Sequence, residues 1–218
     1  MPGLTWLSRG RGGSTLPGSM TFVRGTDARA VLMGLGVDPD DAMPPTDPEF
    51  SSTPGITLIR SGEWLVALEQ TAWPRGLRPD VLSRLCAGTE AVAIYEDIAK
   101  GNHEFAHAAD GEIITAVMTA APPSWGGTQP DRLCPLAEEL GMDPGDGSPS
   151  ADSDYDLGDL EILLLIAEVA FGLSLDEEDL NRPLLKVPDQ PADPTLRGRA
   201  PAPSAVDTKI QAPPQDAP

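Results

Sequence analysis

The residues with the clearest capacity for chemistry are His103-Glu104-Phe105-Ala106-His107. On a helix, imidazoles four residues apart face the same way and can share one Zn²⁺, while the glutamate between them polarises a metal-bound water. In outline that is a zinc-dependent hydrolase, with His103 and His107 as ligands and Glu104 as the base. The flanks argue against a helix. Gly101-Asn102 precedes the motif and Asp110-Gly111 follows it, so barely two turns would fit between turn formers. Ile113-Ile114-Thr115-Ala116-Val117 is β-branched and pairs naturally as a strand. Asp-Gly tolerates the positive φ of a tight hairpin, so 103–108 and 112–118 read as its two arms. On a strand the two imidazoles stand about 13 Å apart, beyond joint coordination, and Glu104 points to the opposite face. The chain has only 2 histidines, so any third ligand would be a carboxylate. The expectation is no metal and no cofactor, with zinc hydrolysis by His103, Glu104 and His107 as the alternative.

Other candidates are weaker. Asp152-Ser153-Asp154-Tyr155-Asp156 begins like a Ca²⁺ loop. Such a loop wants Gly at its sixth position and a bidentate Glu at its twelfth, and Leu157 and Leu163 stand there. Asp156 and Asp159 read instead as carboxylates favoured at a helix N-terminus. Trp73 and Trp125 sit in Pro/Gly-rich loops and are candidates either for a binding surface or for plugging the edge of a core. Neither a G-x-S-x-G nor a G-x-x-x-x-G-K-[ST] motif occurs. Glu96 and Asp97 are adjacent, so on a strand they face opposite ways. Cys86 and Cys134 are far apart without metal-type spacing. Two such cysteines make no disulfide framework, and a reducing cytoplasm is the expected compartment.

Charge narrows the function further. The chain carries 15 Lys+Arg against 34 Asp+Glu, a formal charge of −19. That excludes broad attraction to nucleic-acid phosphates and disfavours anionic lipid. The most apolar window, Leu160 to Leu173, includes Glu161 and Glu168 and falls short of the roughly 20 apolar residues a membrane helix needs. Gly10 to Ser19 lacks the apolar core of a signal peptide. From Asp131 to Asp179 there are 15 acidic residues and one basic residue, Arg132. Such a block is either a solvated face or a lure for a basic partner.

The elements that must position these residues follow from pattern. Met20 to Arg24 reads as a strand, followed by a helix from Thr26 that Gly36 closes. Gly55 to Arg60 and Glu63 to Glu69 form a hairpin, with Trp64, Val66 and Leu68 on one face. Pro79 opens a helix at its N1 position, and Glu90 to Glu96 alternates as a strand. Residues 130 to 141 predict a short helix that Pro135 should shorten or kink. Leu157 to Phe171 is apolar nearly all round and predicts a buried helix. Ser174 and Glu177 suggest a capping box for a last short helix ending near Leu185. The fold class is therefore α+β: a twisted antiparallel sheet of about five or six strands with helices on one face. Residues 1–19 are expected to be poorly ordered and 20–187 to form a single domain with an acidic linker at 143–154. The Pro-rich tail, 188–218, is expected to be disordered.

Taken together, several segments resemble a group of short actinobacterial proteins classed only as a domain of unknown function. They are Thr21-Phe-Val-Arg-Gly25, the helix ending Leu35-Gly36, and Glu63-Trp-Leu-Val-Ala-Leu-Glu69 with Trp73 and Gly76. Gly88-Thr-Glu-Ala-Val-Ala-Ile-Tyr95, Phe105 with Asp110-Gly111, Gly127 with Pro130-Asp-Arg-Leu133, and Gly172-Leu-Ser-Leu175 complete the set. The resemblance spans roughly residues 4 to 186, with Pro135 as a departure. It implies a strand where the two histidines lie, and no activity, cofactor or catalytic residue. The expected function is thus non-catalytic binding of a protein or small ligand. One version is neutralisation of a basic partner, as an immunity protein or antitoxin does.

Overall fold

The computed structural model describes residues 3–8, 18–47, 54–70, 74–97, 99–119, 123–145 and 157–188. Among these residues, eight strands form one antiparallel sheet. They are β1 (Ser19–Arg24), β2 (Gly55–Ser61), β3 (Trp64–Glu69), β4 (Glu90–Asp97), β5 (Asn102–Ala109), β6 (Glu112–Met118), β7 (Ser124–Gly126) and β8 (Leu185–Pro188). Their spatial order is β7-β6-β5-β4-β1-β3-β2-β8. The class is α+β, but the sheet is wider than the five or six strands expected. β7 and β8 are only three and four residues long, too short for a periodic signal. β8 also takes Leu185, where the sequence suggested the end of a helix.

Turn chemistry fixes the hairpins. Asp110 and Gly111 adopt φ of 51° and 85°, and Ala109 faces Glu112 across them, which is the two-residue turn that Asp-Gly favours. Gly62 at φ 57° performs the same service between β2 and β3.

Helices cover both faces of the sheet, not the single face expected. Helices α1 (Ala28–Leu35) and α2 (Pro79–Leu85) lie on one face. There Val31, Leu32, Leu35, Val81 and Leu82 pack with Val23, Leu65, Ala67, Ala91, Ala93, Ala106 and Ala108. The alanines leave room for this layer to sit close. Helices α3 (Cys134–Glu139), α4 (Asp159–Phe171) and the short α5 (Glu177–Leu180) belong to the other face. Its core joins Met20, Phe22, Trp64, Val66, Val92, Ile94 and Phe105 to Leu160, Leu163, Leu164, Ala167 and Phe171. Every residue of β3 is buried. Its run Trp-Leu-Val-Ala-Leu therefore serves two cores, as doubly covered strands do.

Several local expectations meet a sharper outcome. Asp27 caps α1, its side chain accepting from the Ala30 N–H, and Gly36 closes the helix at φ 75°. Pro79 stands in the first turn of α2. Pro135 divides its segment: Pro130–Leu133 is a 3-10 turn, and the α-helix starts at Cys134 with proline in its first turn. Asp176, rather than Ser174, caps α5, in a reciprocal box with Asp179. The N-terminal residues Leu4 and Leu7 are buried in the core beside α4, joined by a 3-10 turn over Thr5–Leu7. The tail from residue 189 and most of the acidic linker lie outside the described residues.

Candidate functional site

β5 carries the histidine motif as extended chain, because the Asp110-Gly111 turn folds it back onto β6. His103 and His107 lie on the α4 face with Phe105, whereas Glu104 lies on the face shared with Ala106. Four strand residues separate the imidazoles by about 13 Å, so the zinc-hydrolase alternative is withdrawn: its two ligands and its base do not converge. Among the described residues, no group of three His, Cys, Asp or Glu side chains comes together as a metal site. The Asp152-Asp154-Asp156 cluster lies outside those residues.

Each histidine has its own glutamate. His107 is 1% exposed, its Nε2 is 3.0 Å from Glu90 Oε1, and its ring centroid is 4.5 Å from that of Phe171. Glu90 also holds Arg24 at 2.8 Å, and that guanidinium lies 4.5 Å over the Trp64 ring. His107 Nδ1 is buried without a hydrogen-bond partner. His103 is 3.3 Å from Thr119 Oγ1 and 4.0 Å from Glu96. Burial pushes both imidazoles below their ordinary 6.5, outweighing Glu96 and Asp159 around His103 and Glu90 beside His107. Below that value the unfolded chain takes up protons that the folded chain refuses. The contribution is whole above about pH 6.5 and is lost as pH falls towards the depressed folded values. Urea midpoints should therefore drop between about pH 7.5 and 5.5, with a shallower drop in His107→Gln. A flat profile in the parent chain would refute the buried neutral pair.

Two structural carboxylates escaped the sequence reading. Glu69 is 1% exposed and accepts the backbone N–H groups of Arg75 at 3.0 Å and Gly76 at 2.9 Å. A Cβ on Gly76 would overlap the Thr21 side chain, so the loop backbone lies directly on β1. The hydroxyls of Ser19 and Thr21 are buried there without partners. Glu168 accepts the backbone N–H of Leu4 and, at 2.9 Å, that of Thr5. The only available signal was a glutamate inside an apolar run, which periodicity alone assigns to solvent.

Among the described residues, the exposed acids of α3 and α5 and of the turn before α3 lie on the α4 side of the sheet. Asp131, Glu138, Glu139, Glu177 and Glu178 are exposed, on elements whose apolar residues join the α4-side core. On the opposite layer, arginines alternate with aspartates: Arg29 pairs with Asp40, and Arg78 and Arg84 share Asp80. Trp125 is partly buried at the β7 edge against the α4-side core, with its indole nitrogen buried and unpartnered. Trp73 lies outside the described residues. Glu69, four positions before it, is on β3, with β1, β4, β5 and β6 between that strand and β7. Cys86 and Cys134 are free, and burial raises both thiols above their ordinary value, away from reactivity. Among the described residues no helix is long and apolar enough to cross a membrane.

These features define a class: an α+β domain with helices on both faces of an eight-stranded antiparallel sheet, one helical layer being strongly acidic. Residues 42–183 match DUF6461, a family of unknown function, and the chain belongs to that family. Neither the curated proteins nor the solved structures gave a match.

Proposed function

We propose that this chain is a non-catalytic binding domain whose α3–α4–α5 layer docks a basic protein. The observation that supports this is the segregation of charge. From Asp131 to Asp179 there is one basic residue, and the exposed carboxylates of α3 and α5 share one side. Arg132 and Arg182, the latter paired with Glu178, are the exposed described arginines on this side, whereas Arg29, Arg78 and Arg84 lie across the sheet. A predominantly acidic face raises encounter rates with a partner of opposite sign and disfavours partners of the same sign. Trp125, beside the same core, is the aromatic residue assigned to the partner's apolar contacts; Trp73, outside the described residues, stays a candidate on its sequence context alone. The reading requires no cofactor, nucleic acid or membrane, and two free thiols fit a reducing cytoplasm.

The test is retention of a partner from source-cell lysate on immobilised chain at about 50 mM and about 500 mM salt. A protein held at low salt should be released at high salt. It should also be lost on the variant Glu138→Lys/Glu139→Lys/Glu177→Lys/Glu178→Lys. Empty low-salt beads, or retention indifferent to salt and to charge reversal, would overturn the proposal.

A further inference from the structure

The seat of residues 3–8 on α4 has the parts of a peptide-docking groove. Glu168 takes the Leu4 and Thr5 N–H groups. The Trp6 indole N–H donates to the Leu175 carbonyl at 2.7 Å. Ser8 Oγ lies 3.0 Å from Glu161 Oε1. Leu4 and Leu7 enter the core cluster that holds Leu164, Ala167 and Leu175. A Cβ on Gly3 would lie 2.6 Å from Glu168 Oε1, so the segment's backbone passes directly over that carboxylate. The segment runs antiparallel to α4, from Glu168 back to Glu161, about 10 Å along the axis.

A single 3-10 turn has no stability of its own. Its shape exists because the groove imposes it, through two apolar sockets, an indole acceptor and a carboxylate that reads backbone N–H groups. Any segment with the same spacing and no proline at its first two N–H positions meets the same contacts. The groove residues lie within the family match, 42–183, and the segment filling them lies outside it. After Ser8 the sequence continues with Arg9 and Arg11. In sequence, the apolar anchors of the occupant are thus followed by positive charge, the chemistry assigned above to the partner.

We propose that the α4 groove is the docking site for the basic partner's Leu-x-aromatic-Leu segment, and that residues 3–8 are an internal occupant which the partner displaces. The partner's charge rests on the function proposed above; the groove rests on the contacts just described. A tethered occupant acts at an effective concentration in the millimolar range. A displacing segment therefore needs the same anchors plus contacts to the acidic layer.

The probe is a fluorescent peptide of sequence MPGLTWLSRGRG, identical to residues 1–12. A site-specific protease sequence is placed after Gly12 and cut once the full chain has folded. After the cut segment is removed by gel filtration, the nicked chain should bind the probe about 100-fold more tightly than intact chain. Equal binding by the two, with circular dichroism unchanged, overturns the groove. If the nicked chain unfolds, uncut Leu7→Ala chain decides: about tenfold tighter probe binding than the parent supports displacement, and no gain refutes it. Glu168→Gln should weaken binding to the opened groove about tenfold, and an unchanged affinity removes Glu168 from the site. A probe with both arginines replaced by glutamine separates the two ideas. Binding that ignores those arginines and salt overturns the basic partner and the function above while the groove stands. Absence of all binding overturns the groove and leaves the acidic layer to its own salt test.

Discussion

Glu69→Ala is expected to lower stability by about 2–4 kcal/mol, because it strands the buried Gly76 donor and the part-buried Arg75 donor. Arg75 and Gly76 have their N–H groups on its two carboxylate oxygens, and the loop lies against β1 at Thr21. Water has no easy access to replace the carboxylate, since Glu69 is 1% exposed. Glu69→Gln should recover part of the loss: its amide oxygen serves one donor, while its NH₂ opposes the other. Urea denaturation measures the loss, and hydrogen exchange locates it. The Arg75 and Gly76 amides should become the fastest-exchanging of those now protected in this segment. A destabilisation below about 0.5 kcal/mol, the range of an ordinary surface change, would show that the clamp does not hold the loop.

That clamp explains how far the sequence could be read. Thr21 belonged to one weak motif and Glu69 and Gly76 to another, yet all three meet at one place. Likewise the Thr89 hydroxyl donates to the Arg24 carbonyl at 2.7 Å and Glu90 pairs with the Arg24 guanidinium, joining the fragment that holds Thr21 to Gly88–Tyr95. Turn and cap positions were legible because their chemistry is local: Asp110-Gly111, Gly36 and Pro79 fix backbone angles by themselves. So was the strand character of 103–107, which follows from its flanks. The second helical layer was not legible. Much of its floor is alanine (Ala67, Ala91, Ala93, Ala106 and Ala108), and alternation of large with small apolar residues looks like a half-exposed strand. Nor could periodicity place Glu168, because a charged residue on an apolar helix reads as solvent-facing until a distant segment supplies its donors. The acidic block was countable, but its segregation depends on α3, α4 and α5 sharing one face, a tertiary fact.

The two histidines, the N-terminal segment and the acidic layer are not independent, because α4 carries all three. His107 lies under its last residue, Phe171. Glu168, one turn earlier, holds the N-terminal segment, and α3 and α5 flank it over the same core. A change at the C-terminal end of α4 should therefore be read at the histidine and at the groove together.

Phe171→Ala tests that linkage and should cost about 3–5 kcal/mol, the usual price of emptying a buried aromatic site. The ring lies 4.5 Å from His107 and 6.1 Å from Phe105, centroid to centroid, so its loss opens a space beside an imidazole whose Nδ1 has no partner. A site with a free polar atom is one that water can enter. Hydration removes the burial that depresses His107, so its pKa should climb back towards 6.5. The folded and unfolded values then approach each other, and the acid-side loss of stability should flatten even as overall stability falls. Phe171→Leu, which keeps most of the volume, should retain both the stability and the pH slope. Urea midpoints across pH, with the His107 ring followed by NMR, measure the two effects separately. A loss under about 1 kcal/mol would mean Phe171 is not a core residue. An unmoved His107 titration at full destabilisation would mean that another group, not burial under α4, sets its charge.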